Sequence, residues 1–128
     1  FFSEIFGQSA LKKRLIQSVK DRRVSHAQLF FGPEGAGALP LAIAYAQYLS
    51  CTGDKDEDAC GKCPSCMKYT KLVHPDLHFL FPVNNTASKK EDPSCDDFLP
   101  EWRTFVMQNP YARLNDWYLY IELENKQG

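Results

Sequence analysis

The chain has 128 residues, with 15 Lys and Arg against 16 Asp and Glu and a formal net charge of −1. That is the length of one ordinary domain or part of a larger one, and a 44% hydrophobic, 13% aromatic composition excludes global disorder. Near-neutral charge argues against a dedicated nucleic-acid coat protein. The longest uncharged apolar stretch, residues 36–49, is broken by Pro40 and Gln47 and is too short to cross a bilayer. Phe1-Phe2-Ser3-Glu4 carries no basic segment followed by an apolar one, so a cytoplasmic location with no membrane partner is expected.

Residues 9–22 predict an amphipathic helix, because Leu11, Leu15, Ile16 and Val19 recur at helical spacing. Six basic residues fall between Lys12 and Arg23, opposed only by Asp21. That run is either a solvated helix face or a contact for DNA phosphates or an acidic partner. Gln28-Leu29-Phe30-Phe31 is a short apolar run that stops at Gly32, the pattern of a buried strand. The tight loop Gly32-Pro33-Glu34-Gly35-Ala36-Gly37 follows. Residues 39–49 predict a second helix, with Pro40 tolerated in its first turn.

Further on, 53–58 reads as a charged turn and 66–73 as a short helix broken by His74-Pro75-Asp76. Residues 77–81 predict a second strand, and 84–97 a mobile polar loop. Residues 98–108 predict a helix stopped by Asn109-Pro110. Asn115 can cap a last helix reaching about Leu123, with Trp117, Tyr120 and Ile121 on one face. Trp102, Phe105, Trp117 and Tyr120 suggest packing rather than chemistry.

The loop at 32–37 has the frame of a phosphate-binding loop, G-x-x-x-x-G-K-[ST], in which backbone N–H groups cradle phosphates, Lys neutralises them and the hydroxyl holds Mg²⁺. Here Ala38 and Leu39 stand where Lys and Ser/Thr would be. Neither supplies a charge or a metal ligand, and Glu34 adds repulsion. Gly32, Gly35 and Gly37 are therefore the vestige of a phosphate loop with weak or no nucleotide binding and no hydrolysis, or else an ordinary strand-to-helix turn. No catalytic residue is expected.

Four of the five cysteines are bunched: Cys51, Cys60, Cys63 and Cys66. The overlapping pairs Cys60-Gly61-Lys62-Cys63 and Cys63-Pro64-Ser65-Cys66 would close only very short disulfide loops, with little entropic gain. The same spacing suits a closed tetrahedral thiolate site, so a structural Zn²⁺ held by these four is expected, an Fe–S cluster being the alternative. His74 and His78 are not needed as ligands. Cys95 reads as a free surface thiol.

Further residues bind these pieces together: 2–5 with Gly7-Gln8, then His26-Ala27 before Leu29-Phe30 and Gly32-Pro33-Glu34-Gly35, the Ala-rich helix, the four cysteines and His74-Pro75-Asp76. As a set they resemble the clamp-loader AAA+ subunits of bacterial DNA polymerase III, with good coverage from residue 2 to about 82. Within that family the loop is similar to the degenerate one of the delta-prime branch; the gamma/tau branch keeps Lys and Thr. The resemblance implies an α/β fold, an incomplete P-loop/AAA+ three-layer domain over 1–128 with an embedded zinc module at 51–66. Residues 84–128 depart from the family pattern and suggest a helical insertion.

The function implied is that of a non-catalytic member of the DNA polymerase holoenzyme, a nucleotidyltransferase, helping to load the sliding clamp on primed DNA. Its partners would be the gamma/tau and delta subunits, with DNA reached through the complex. The family's Ser-Arg-Cys triplet is absent, as are a Walker B acid and the later strands, so the chain is expected to be an N-terminal fragment whose two strands expose their edges and drive self-association or a non-native pairing. Two other functions compete: a gamma/tau-like ATPase with an unusual loop, and a zinc module that binds nucleic acid through residues 12–23.

Overall fold

A computed structural model of the chain describes residues 1–83 and 95–127. The backbone falls into two compact units, Phe1–Leu77 and His78–Gly128.

In the first unit a 3-10 turn, Phe2–Glu4, precedes three helices: α1 (Ser9–Lys20), α2 (Ala38–Ser50) and α3 (Pro64–Thr70). The apolar face predicted for α1 meets the apolar side of α2. Phe2, Ile5, Leu15, Leu41, Ala44, Tyr45 and Tyr48 are buried together, with Ile16, Val19 and Phe30 packed against them. Full burial of a side chain of this size contributes about 1.5–3 kcal/mol, so this face is what keeps α1 helical. Pro40 sits in the first turn of α2, where its missing N–H has no partner to lose.

Two helices end earlier than their sequence pattern suggests. Reading from spacing puts the ends at Arg22 and Val73; α1 stops at Lys20 and α3 at Thr70. Each is closed by a left-handed residue, Arg22 at φ 56° and Leu72 at φ 58°. Arg22 and Arg23 N–H donate to the Val19 and Ser18 carbonyls, and Leu72 and Val73 N–H to those of Tyr69 and Lys68. These paired bonds satisfy the last carbonyls of each helix. Glycine normally marks such an end. Here no glycine stands at either position, so the stop leaves no trace in the sequence.

The two expected strands do not form. Among the described residues the fold is helical, with no strand, which corrects the α/β reading at 28–31 and 77–81. Both segments keep an alternating pattern. Phe30 stacks on Tyr45 at 6.0 Å, while Leu29 and Phe31 are 87% and 91% exposed. Phe79 and Phe81 turn inward, and Leu80 is 94% exposed. An apolar run becomes a strand only when another strand supplies the N–H and C=O groups of a ladder, and none of the described residues does so. The expected exposed strand edges and non-native pairing therefore have no strand to act through.

The second unit holds a 3-10 turn, Cys95–Phe98, then α4 (Leu99–Gln108) and α5 (Leu114–Gln127). Most of the loop expected at 84–97 lies outside the described residues; its last part is this turn. Asn115 does not cap α5. It lies inside the helix, and the N-terminus is closed by Asp116 Oδ2 accepting the Arg113 N–H at 2.8 Å. Aromatic rings fill the centre. Phe81 stacks on Trp102 at 4.4 Å, Trp117 stands perpendicular to both, and its Nε1 donates to the Pro82 carbonyl at 2.7 Å. Packing is what these side chains do, as the sequence suggested. No helix among the described residues is long and apolar enough to cross a membrane.

Candidate metal centre

Three elements bring the four cysteines together. Cys51 caps the C-terminus of α2, Cys63 caps the N-terminus of α3, Cys66 lies in the first turn of α3, and Cys60 is carried by the loop between. The four sulfurs all lie within 4.8 Å of one another, close enough to hold a metal ion, and none is in a disulfide. The structure brings together the four residues that the sequence grouped. Cys51, nine residues from its nearest companion, arrives only because α2 packs against α3.

Backbone donors surround the sulfurs. Cys60 Sγ accepts the N–H groups of Lys62 at 3.4 Å and Cys63 at 3.3 Å; Cys63 Sγ accepts that of Cys66, and Cys51 Sγ that of Cys60, both at 3.4 Å. Gly61 takes φ 75° to aim these donors, a conformation costly for any residue with a Cβ. Gly53 leaves room for the sulfur itself: a Cβ there would lie 2.6 Å from Cys60 Sγ.

These surroundings set Cys60, Cys63 and Cys66 apart. The N–H groups of Cys66 and Thr52 hold Cys63 down to about 5. Those of Lys62 and Cys63 lower Cys60. Burial pushes the Cys66 thiol up to about 12, so it keeps its proton until a cation displaces it. Loading such a site therefore releases protons and weakens in acid. Thiolates held by N–H donors in a closed cluster suit a soft or borderline metal in a structural role better than they suit open-site catalysis.

Polar ties anchor the cluster to the helices. Gln47 is only 3% exposed and donates through Nε2 to the Cys66 carbonyl at 3.1 Å. In the loop from Cys51 to Cys60, the Asp56 carbonyl accepts the Tyr48 hydroxyl at 2.7 Å, and Lys55 Nζ donates to the Tyr48 carbonyl at 2.8 Å. Lys20 Nζ reaches Asp56 Oδ1 at 2.7 Å, and this bond raises the lysine's pKa above 10.5. In the sequence Gln47 marks only a break in an apolar stretch and Asp58 the end of a charged turn, and neither pattern names a partner. His74 lies outside the cluster: its ring stacks on Tyr69 at 4.5 Å and its Nδ1 accepts the Asp76 N–H. His78 is exposed. Cys95 is not a surface thiol. It is half-buried, donating to the Phe81 carbonyl at 3.2 Å and accepting the Phe81 N–H at 3.5 Å.

The glycine loop opens α2 as expected. Gly35 and Gly37 take φ 79° and 89°, and Gly37 is the residue before the helix. Gly32 needs no such freedom, since a Cβ there would meet Ala36 at an ordinary 3.5 Å. Beside the loop lies a cavity of about 520 Å³, whose lining includes Gln8, Arg14, Arg23, Gln28 and Gly37. Ala38 and Leu39 form the first turn of α2 and bring no cation to it.

A family model described as DNA polymerase III, delta subunit, matches residues 7–112. The chain belongs to this family. Among curated relatives, the DNA polymerase III subunit delta' of Bacillus subtilis is 35% identical over 84 residues, covering 66% of this chain and 25% of the relative. The DNA polymerase III subunit tau/gamma of Haemophilus influenzae is 34% identical over 65 residues, 51% of this chain and 9% of the relative. Protein STICHEL of Arabidopsis thaliana is 30% identical over 90 residues, 70% of this chain and 7% of the relative. The chain thus spans a quarter or less of the length of these relatives. No solved structure matches it.

Proposed function

We propose that the chain is part of a delta-prime-like clamp-loader subunit of DNA polymerase III, which helps to place the sliding clamp on primed DNA without hydrolysing ATP itself. The observation that supports this reading is the first turn of α2, where Ala38 and Leu39 follow Gly37 directly. A phosphate site there has N–H donors but no ammonium and no hydroxyl for Mg²⁺. Gly32, Gly35 and Gly37 are then the vestige of a P-loop in an AAA+ domain, with 51–66 as an embedded zinc module and 84–128 as a helical insertion. The partners are the gamma/tau and delta subunits in the cytoplasm, with DNA reached through the complex.

The ion assigned to Cys51, Cys60, Cys63 and Cys66 is Zn²⁺. A tetrahedron with Zn–S of about 2.3 Å has sulfur–sulfur edges of about 3.8 Å, and the four sulfurs here lie within 4.8 Å of one another. Its role is structural, since four thiolates leave no position open for substrate. Calorimetric titration with Mg-ATP tests the subunit assignment: no binding is expected, and a micromolar constant would overturn it. A second reading, a gamma/tau-like ATPase, draws on the cavity beside the loop, where Arg14 and Arg23 supply positive charge. Turnover of Mg-ATP by the chain in its complex separates the two.

A further inference from the structure

The loop joining Cys51 to Cys60 ends in a carboxylate that reaches far along the chain. Asp58 Oδ1 accepts the N–H of Phe2 at 3.0 Å and of Ala59 at 2.9 Å, and Oδ2 accepts the N–H of Ser3 at 3.0 Å. One carboxylate, two positions before Cys60, thereby fastens the N-terminal 3-10 turn. On one side of that turn, Phe2 is buried in the α1–α2 core with its ring 5.6 Å from Tyr48. On the other, Phe1 packs against the buried cluster of Cys51, Ala59 and Cys66, so close to Gly61 that a Cβ there would meet the ring at 3.0 Å.

We propose that Asp58 is a positioning residue for the metal centre and that residues 1–5 form a cover whose attachment governs how fast the ion leaves. The inference rests on the zinc reading of the four cysteines. Cys60 is the ligand carried by a loop rather than a helix end, so it is the thiolate that must swing away first for a chelator to reach the ion. That swing moves Ala59 and Gly61, and it has to break the carboxylate's bonds to Phe2 and Ser3 and lift the Phe1 ring. Hydrogen bonds to a charged acceptor are about twice as strong as neutral ones, and local opening is governed by the bonds it breaks. The dependence runs both ways: without the ion, Cys60 no longer fixes Asp58, and the turn loses its anchor.

The test uses the full chain, its zinc content measured first and its release to an excess of a chromogenic chelator then timed. Asp58→Ala should release zinc about tenfold faster than the parent, the loss of roughly one charged hydrogen bond. Phe1→Ala, which removes the ring and no hydrogen bond, should release it severalfold faster. Asp54→Ala takes the same charge from the same loop and should leave the rate unchanged. A parent that carries no zinc overturns the metal reading and this proposal with it. A loaded parent whose Asp58→Ala and Phe1→Ala variants release at the parental rate overturns the cover alone. So does equal acceleration by Asp54→Ala, which would trace the effect to loop charge. If Asp58→Ala loses its helical circular dichroism, Phe1→Ala decides by itself. In the parent, amide exchange at Phe2 and Ser3 followed by NMR should speed up when zinc is stripped; unchanged exchange refutes the coupling.

Discussion

Between Cys51 and Cys66 the chain buries two thiols, one alanine and little other apolar surface, whereas between Phe81 and Ile121 it buries Phe98, Trp102, Phe105, Val106 and Trp117 as well. The first region is held by directional contacts: N–H groups on sulfur, a glutamine on a carbonyl, a carboxylate on three backbone amides. The second is held by ring area, with one indole hydrogen bond to fix its orientation. Ring packing needs no bound ion. A cluster of four thiols has almost no apolar surface to exchange for chain entropy, so its order is expected to depend on an ion. One unit should therefore respond to chelator and the other to loss of side-chain volume.

The largest effect expected is from the metal. Apparent binding energies of such sites are about 10–16 kcal/mol, comparable with the stability of a whole domain. Cys66→Ser, like a strong chelator, should abolish stoichiometric zinc and give the lowest melting temperature of any variant here. Trp fluorescence should change less, since both tryptophans lie in the second unit. A protein purified without chelator that contains no zinc would collapse the contrast between the units.

Next comes Trp117→Ala, which removes a fully buried ring and the bond to Pro82. A cost of about 3–5 kcal/mol is expected in urea unfolding of the second unit, with zinc content unchanged. Gln47→Leu keeps the volume but removes one donor from the Cys66 carbonyl, which the Thr70 hydroxyl still reaches at 2.9 Å, at about 0.5–1.5 kcal/mol. Unlike Trp117→Ala, it should also lower zinc affinity in a competition titration. Cys95→Ala should cost about 1 kcal/mol, the net worth of an ordinary hydrogen bond, and leave zinc stoichiometry untouched.

The smallest effect is at Lys20. Its pKa is raised above 10.5 by the bond to Asp56, so any stability it adds is complete below that value and is lost as pH rises past the folded pKa. Thermal scans of Lys20→Met and the parent should differ by a small constant from neutral pH up to 10.5 and converge above the raised folded pKa. Added salt should shrink the gap, because the pair is solvent-exposed.

Local spacing was enough to anticipate the five α-helices among the described residues, to group Cys60, Cys63 and Cys66, and to assign Trp102, Phe105 and Trp117 to packing. A helix satisfies its hydrogen bonds within four residues, and a Cys-x-x-Cys turn does so within three, so both are written in the order of side chains nearby. Only the tertiary structure decided that residues 28–31 and 77–81 are not strands, since a strand depends on donors and acceptors from elsewhere in the chain. It also decided where α1 and α3 stop, through left-handed Arg22 and Leu72 where no glycine announces the turn. Leu72 offsets its backbone cost by being buried. Asp58 belongs to the same class. Its bonds to Phe2 and Ser3 span 56 and 55 residues, and no local pattern can encode a partner that only folding brings within reach.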